Sequence, residues 1–212
     1  MSEISYSKVQ DYLISLVPPR EPEMQVMEEV AATSGFPIIG PAAGYFCYQI
    51  ARMMGAKSVF ELGSGYGYST AWFARAVKEN GGGLVHHTVW DAELSEKARG
   101  HLSRMGLEGM VAFHAAEAVE ALRLQPGGFD LIFNDIDKQD YPASLSLIKE
   151  RLRHGGVLII DNMLWSGRIF NRSDRSAATE GVRQFTRAIS ADPDWIVTLA
   201  PVRDGMIVAY RK

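Results

Sequence analysis

From residue 57 onward the chain alternates short apolar runs with amphipathic stretches. The runs KSVFEL (57–62), LVHHTVW (84–90), MVAFHA (110–115), FDLIFND (129–135) and VLIID (157–161) are rich in β-branched and aromatic residues, which predicts strands. Between them lie TAWFARAVKEN (70–80), which Ser69 or Thr70 is placed to cap, LSEKARGHLSRMG (94–106), AVEALRL (118–124) and ASLSLIKERLRHG (143–155), all with helical spacing. Nearly continuous apolar strands, each followed by a helix, describe a parallel sheet covered on both faces and joined by right-handed crossovers. The tail differs: after a helix EGVRQFTRAIS (180–190), WIVTLAPV (195–202) and MIVAYRK (206–212) flank the turn RDG, which predicts a hairpin and an antiparallel edge. Ahead of the first strand, SKVQDYLISLV (7–17), PEMQVMEEVAATSG (22–35) and AAGYFCYQIARMMG (42–55) are closed by Pro or Gly, so residues 1–55 form a helical segment within one domain spanning 1–212.

Composition narrows the class. A chain of 212 residues can bury a substantial core without disulfide or metal staples. No apolar run nears the roughly 18 residues of a membrane span, and the N-terminus lacks a basic region followed by a small-residue cleavage site. Lone Cys47 excludes an internal disulfide, sits in an apolar helical stretch where packing is its expected use, and suits a reducing, cytoplasmic setting. The net charge of −3 disfavours a nucleic-acid partner, but it is unevenly divided: residues 1–145 carry 11 Lys+Arg against 18 Asp+Glu, and residues 146–212 carry 11 against 7. That asymmetry leaves an RNA acceptor open, although solvated helix faces around Arg151, Arg153, Arg183 and Arg187 account for it as well.

Open α/β sheets bind ligands at the carboxyl ends of their strands, beside the point where strand order reverses. There the chain reads Glu61-Leu62-Gly63-Ser64-Gly65-Tyr66-Gly67-Tyr68-Ser69. Glycines such as Gly63 and Gly65 let a ligand approach the backbone, but nicotinamide enzymes and plain structural turns use glycine too. The acids discriminate. Asp91, at the end of the second strand, is placed to accept hydrogen bonds from ribose hydroxyls, and Glu61 sets an anion beside the glycines. A pyrophosphate-bearing dinucleotide would be repelled there, whereas S-adenosylmethionine would be attracted through its cationic amino-acid portion or its sulfonium, directly or through water.

The fourth strand ends Asn134-Asp135-Ile136-Asp137-Lys138 and the fifth ends Asp161-Asn162. If these strands are neighbours, Asp135, Asp161 and Asn162 meet as an all-oxygen set that suits Mg²⁺, with Mn²⁺ and Ca²⁺ as alternatives, and disfavours soft metals. A strand-end Asp is often only a turn former; two acids, an amide and a lysine at one sheet edge are a stronger signal. A phenol with a pKa near 10 is a poor nucleophile at neutral pH, and a divalent cation activates an oxygen that ligates it. Lys138 is then the candidate base, and an ion pair with Asp137 or Asp140 is its alternative use.

At these residues the sequence resembles the cation-dependent catechol and caffeoyl-CoA O-methyltransferases, through FELGSGYGYSTAWFA, FDLIFNDIDKQDY and GGVLIIDNMLWSGRIF and over nearly its whole length. The resemblance implies a class I methyltransferase fold, Rossmann-like, with a seven-stranded mostly parallel sheet, an antiparallel last strand, helices on both faces and a homodimeric assembly. It implies Asp135, Asp161 and Asn162 as metal ligands, with Asp135 also at the donor, and Lys138 as catalytic base. Ile39, Gly40, Glu61, Gly63, Gly65, Ser69, Asp91, Ala115 and Ala116 become donor contacts, and Tyr141, Trp165 and Arg168 candidate acceptor contacts. Asn134 departs from the family, which often has a hydrophobic residue there, and GPAAGYFCYQ lacks the acidic or glutamine-containing form common before the first strand. The expected acceptor is a small catechol-like aromatic. Some bacterial members instead methylate a hydroxylated uridine in transfer RNA, and PIIGPAAG looks like theirs. A reading of another class is a non-catalytic donor-binding module.

Overall fold

The computed structural model describes residues 5–212. Three helices, α1 (Tyr6–Ser15), α2 (Pro22–Ser34) and α3 (Gly40–Met53), precede the sheet. Then follow β1 (Ser58–Leu62), α4 (Tyr68–Glu79), β2 (Leu84–Val89), α5 (Ala92–Arg104), β3 (Val111–Ala115), α6 (Ala118–Arg123), β4 (Phe129–Asn134), α7 (Tyr141–Arg151), β5 (Leu152–Ile160), α8 (Ala177–Ala191), β6 (Trp195–Ala200) and β7 (Met206–Arg211). The strand order is β3-β2-β1-β4-β5-β7-β6, with β7 antiparallel to both its neighbours and all other pairs parallel, as the sequence predicts. Order reverses between β1 and β4, which makes their carboxyl ends the place for a ligand.

The period-3.6 faces of the helices divide between the two sides of the sheet. Met27, Ala43, Cys47, Trp72, Phe73 and Leu102 of α2 to α5 pack on one face, while Leu122, Ile148, Val182, Phe185 and Ile189 of α6 to α8 pack on the other. Cys47 is fully buried, as packing requires. No described helix is long and apolar enough to cross a membrane.

Two local expectations are corrected. Neither Ser69 nor Thr70 caps α4. Gly67, left-handed at φ 93°, occupies the cap position and the hydroxyl residues lie inside the first turn, where Thr70 Oγ1 pairs with His87 Nδ1 at 3.0 Å. The helix expected over 143–155 instead spans Tyr141–Arg151, because Leu152 joins β5 opposite Phe129 and is buried there. Arg211 fixes this boundary by donating to the carbonyls of Lys149 and Leu152, groups that the end of α7 leaves free.

Candidate active site

Three strand ends meet in sequence across the sheet. Asp135 N–H donates to the Leu62 carbonyl at 2.8 Å and Asp161 N–H to the Asn134 carbonyl at 3.2 Å, so the tips of β1, β4 and β5 lie side by side. A Cβ on Gly63 would come within 2.6 Å of the Asp135 carbonyl oxygen. That contact and φ 83° require glycine at this position.

The turn after β1 borders a cleft lined by Phe36, Ile38, Ile39, Gly63, Gly65, Ser69 and Asp135. Ile39 and Gly40 open α3 directly over it, with Ile39 buried. Glu61 lies beneath, fully buried, with hydroxyls as polar neighbours and no cation paired to it among the described residues. Burial pushes its pKa up to about 7; the hydroxyls of Ser69, Thr70 and Ser64 pull the other way, and the charge of Asp135 adds to the rise. Asp91 caps α5 by accepting from Glu93 and Leu94 N–H with one oxygen. Ala115 ends β3 and Ala116 follows it on the same edge, both exposed, with Ala116 N–H bound to the Val89 carbonyl.

The neighbouring tips carry the acids. Lys138, in a short 3₁₀ turn over Lys138–Asp140, donates from Nζ to Asp135 Oδ1 at 2.7 Å and to the Ile136 carbonyl at 3.1 Å, so its partner is neither Asp137 nor Asp140. Asp161 is fully buried; its Oδ2 accepts from Arg203 Nη1 at 2.5 Å and its Oδ1 has no partner. Burial and the nearby Asp135 raise its pKa, and Arg203 opposes the rise. Asn162 follows at φ 58°, its Nδ2 donating to Asp204 Oδ2 at 3.3 Å. Among the described residues no three His, Cys, Asp or Glu gather as a metal cluster; the third group beside these two acids is an amide.

Sequence reasoning named Asn162 and Trp165 near these acids but passed over Arg203 and Asp204 of the hairpin turn. The described non-glycine residues with positive φ are Asn162, Trp165, Ser166 and Arg203, and all lie here. Such backbone is held only when its surroundings over-determine it. Asp204 does so: its Oδ1 accepts from Ser166 N–H at 2.6 Å, its Oδ2 from Asn162, and its carbonyl from Leu164 N–H at 2.8 Å. An acid in a hairpin turn next to a glycine was the available signal, but only the pairing of β5 with β7 shows what it reaches.

The three acceptor candidates separate. Tyr141 is fully buried, packs edge-on to Phe185 and donates its hydroxyl to the Asp161 carbonyl at 3.1 Å, so it supports the tip of β5 from below and does not face the open edge. Trp165 stands at the rim, its ring 5.8 Å from Lys138 Nζ and 5.5 Å from the Arg168 guanidinium. Arg168 is turned to Asp174 at 2.8 Å and to Ser176. Asn134, unusual for its buried position, is satisfied by donating to Ser144 Oγ at 3.1 Å.

The family model described as O-methyltransferase matches residues 22–212. The chain belongs to that family. The catechol O-methyltransferase of Niastella koreensis is 27% identical, with each chain covered completely. A Bacillus cereus O-methyltransferase in complex with SAH superposes with a TM-score of 0.86 at 27% identity, covering 97% of each chain. A Geobacter sulfurreducens methyltransferase does so with 0.82 at 27% identity, covering 100% of this chain and 98% of that one. In this O-methyltransferase seven of the eleven basic residues beyond residue 145 are in ion pairs, six of them with acids of the same segment, so the excess of basic over acidic residues there remains. Lys149, Arg151, Arg153, Arg168, Arg175, Arg183 and Arg203 each pair with a carboxylate.

Proposed function

We propose that this O-methyltransferase moves the methyl group of S-adenosylmethionine to a hydroxyl of a small aromatic acceptor with adjacent oxygens, such as a catechol, assisted by a divalent cation. The observation that carries this reading is the meeting of a buried, cation-free Glu61 with the facing acids Asp135 and Asp161 on three neighbouring strand tips. A sulfonium is a cation, and a desolvated carboxylate without a paired cation gains most from one. The SAH complex of the Bacillus cereus relative supports the same donor. Ile39, Gly40, Glu61, Gly63, Gly65, Ser69, Asp91, Ala115, Ala116 and Asp135 are the donor contacts in this reading.

The residues present fit a hard cation. Asp161 Oδ1 is a buried acceptor without a donor, Asp135 is close enough to raise the Asp161 pKa, and Asp204 holds Asn162 by its nitrogen, leaving its oxygen to bind. Oxygen ligands alone favour Mg²⁺, with Mn²⁺ or Ca²⁺ as substitutes. Such an ion, when bound, acidifies a ligated phenol and orients it. Lys138 takes the hydroxyl proton as the oxygen–carbon bond forms and the sulfur–carbon bond breaks, leaving S-adenosylhomocysteine. Trp165 lines the acceptor side, and the glycine turn fixes the donor for an in-line approach. We extend the proposal to a homodimer, because α1 leaves Tyr6, Val9, Tyr12, Ile14 and Leu16 exposed; sedimentation velocity reads that state.

A radiolabelled methyl-transfer screen over catechols, caffeoyl thioesters and undermodified transfer RNA, with Mg²⁺ and with chelator, tests the reading. Label on a diol, lost in chelator, is expected. Full turnover in chelator removes the metal, label on RNA alone changes the acceptor, and donor binding without turnover on any substrate leaves only a binding module.

A further inference from the structure

Arg203 is a cation in this site that the proposed chemistry does not use. Its Nη1 holds Asp161 Oδ2 at 2.5 Å, and Asp161 has no other side-chain partner among the described residues. Across the site Lys138 does the same for Asp135, so each acid already carries a cation of its own. The two cations differ in freedom. The Lys138 side chain is 12% exposed, and its Nζ is also bound to a carbonyl, whereas the Arg203 side chain is 31% exposed and its guanidinium binds only Asp161 among the described residues. The Arg203 backbone is fixed, with its N–H bound to Gln10 Oε1 of α1 at 2.8 Å and φ at 51°, so any departure is a movement of the side chain alone.

We propose that Arg203 is a built-in counter-cation that competes with the divalent metal for Asp161, so that the guanidinium must swing outward for the metal to enter and thereby sets the metal affinity. The inference rests on the metal reading above. Asp161 is buried, and its one remaining oxygen lies on the same carboxylate that Arg203 holds. A divalent ion on that oxygen would sit beside a guanidinium with little water to screen the repulsion. The site therefore exchanges one cation for the other, and metal binding is weaker than the oxygen ligands alone would give. Glycine fits the left-handed backbone at 203 better than arginine does, so Arg203→Gly removes the charge without disturbing the hairpin.

Calorimetric titration of the free protein with Mn²⁺, without donor or acceptor, tests this. Arg203→Gly is expected to bind Mn²⁺ about tenfold or more tighter than wild type, a coupling of ordinary size. Arg203→Lys, which keeps the charge, is expected to stay within about threefold of wild type, and the Mn²⁺-induced rise in Tm is expected to be larger in the glycine variant. Equal or weaker binding by Arg203→Gly, with Asp161→Asn abolishing binding in both backgrounds, overturns the role of Arg203 and leaves the metal reading standing. Mn²⁺ binding that is absent from wild type and Arg203→Gly alike, or unchanged by Asp161→Asn, overturns both.

Discussion

After β1 the chain turns through Gly63, Gly65 and Gly67, all with positive φ, whereas after β5 and in the β6–β7 loop Asn162, Trp165, Ser166 and Arg203 take the same conformation. Glycine adopts it without steric penalty, and the turn after β1 needs little support beyond its own sequence. The other four residues are strained, and Asp204, beside Arg203 in the hairpin, holds the segment from Asn162 to Ser166 from far along the chain. Charge follows the same division. Glu61 beside the glycines has no paired cation, while Asp135 and Asp161 each have one. In the proposed function the first region is a preformed cradle for a positive ligand, and the second a set of paired charges that a ligand must rearrange.

If chemistry belongs to the second region, its loss should be catalytic and not structural. Asp135→Ala is expected to lower turnover about a thousandfold, the order of effect of losing metal activation, and to make the residue of activity insensitive to chelator. Because the Asp135 side chain is 25% exposed, its Tm should change little. Turnover that remains metal-dependent at the wild-type rate would erase the distinction between the two regions. Lys138→Met comes next. Loss of a general base predicts about a hundredfold fall in kcat, with donor affinity changed far less, and an unchanged kcat in single-turnover measurements would remove Lys138 from the reaction.

The contrast also explains what the sequence discloses. Apolar runs alternating with helices give the strands and their parallel pairing, because burial on both faces makes each strand a nearly continuous apolar run that is visible without tertiary knowledge. Glu61, Asp135, Asp161 and Asn162 are legible because they end such runs. The clamp is not, since Asp204 stands 42 residues from Asn162 and meets it only because β7 pairs with β5. Tyr141 follows the 3₁₀ turn over Lys138–Asp140 into the core, with its ring 5.3 Å from Lys138 Nζ. The cap of α4 passes to Gly67 because the glycine turn itself enters the helix in a left-handed conformation.

The clamp yields a smaller effect. Asp204→Ala removes two hydrogen bonds to a charged acceptor, so a loss of about 2 kcal/mol is expected in urea unfolding. Mn²⁺ affinity should fall with it, because Asn162 would no longer be aimed. Asp204→Asn, which keeps acceptor capacity, should recover part of both. Unchanged stability in Asp204→Ala would show that the strained loop supports itself.

Glu61→Gln tests the first region through pH. The folded-state pKa of Glu61 is raised from 4.5 to about 7, so its contribution to stability is fully present below the unfolded value and is lost as pH rises through about 7. Free wild-type protein should therefore lose stability relative to Glu61→Gln across that interval, the amide having no proton to release. Donor binding should show the opposite trend. The charged carboxylate attracts a sulfonium, so wild-type affinity should rise as pH passes upward through about 7, while the glutamine variant stays flat and binds about tenfold more weakly at pH 8. S-adenosylhomocysteine, which lacks the sulfonium charge, should feel the substitution less, and calorimetry with both ligands separates a charge effect from a damaged cleft. Equal losses for the two ligands would mean that Glu61 acts on the amino-acid ammonium that both share, or on the turn, and not on the sulfonium.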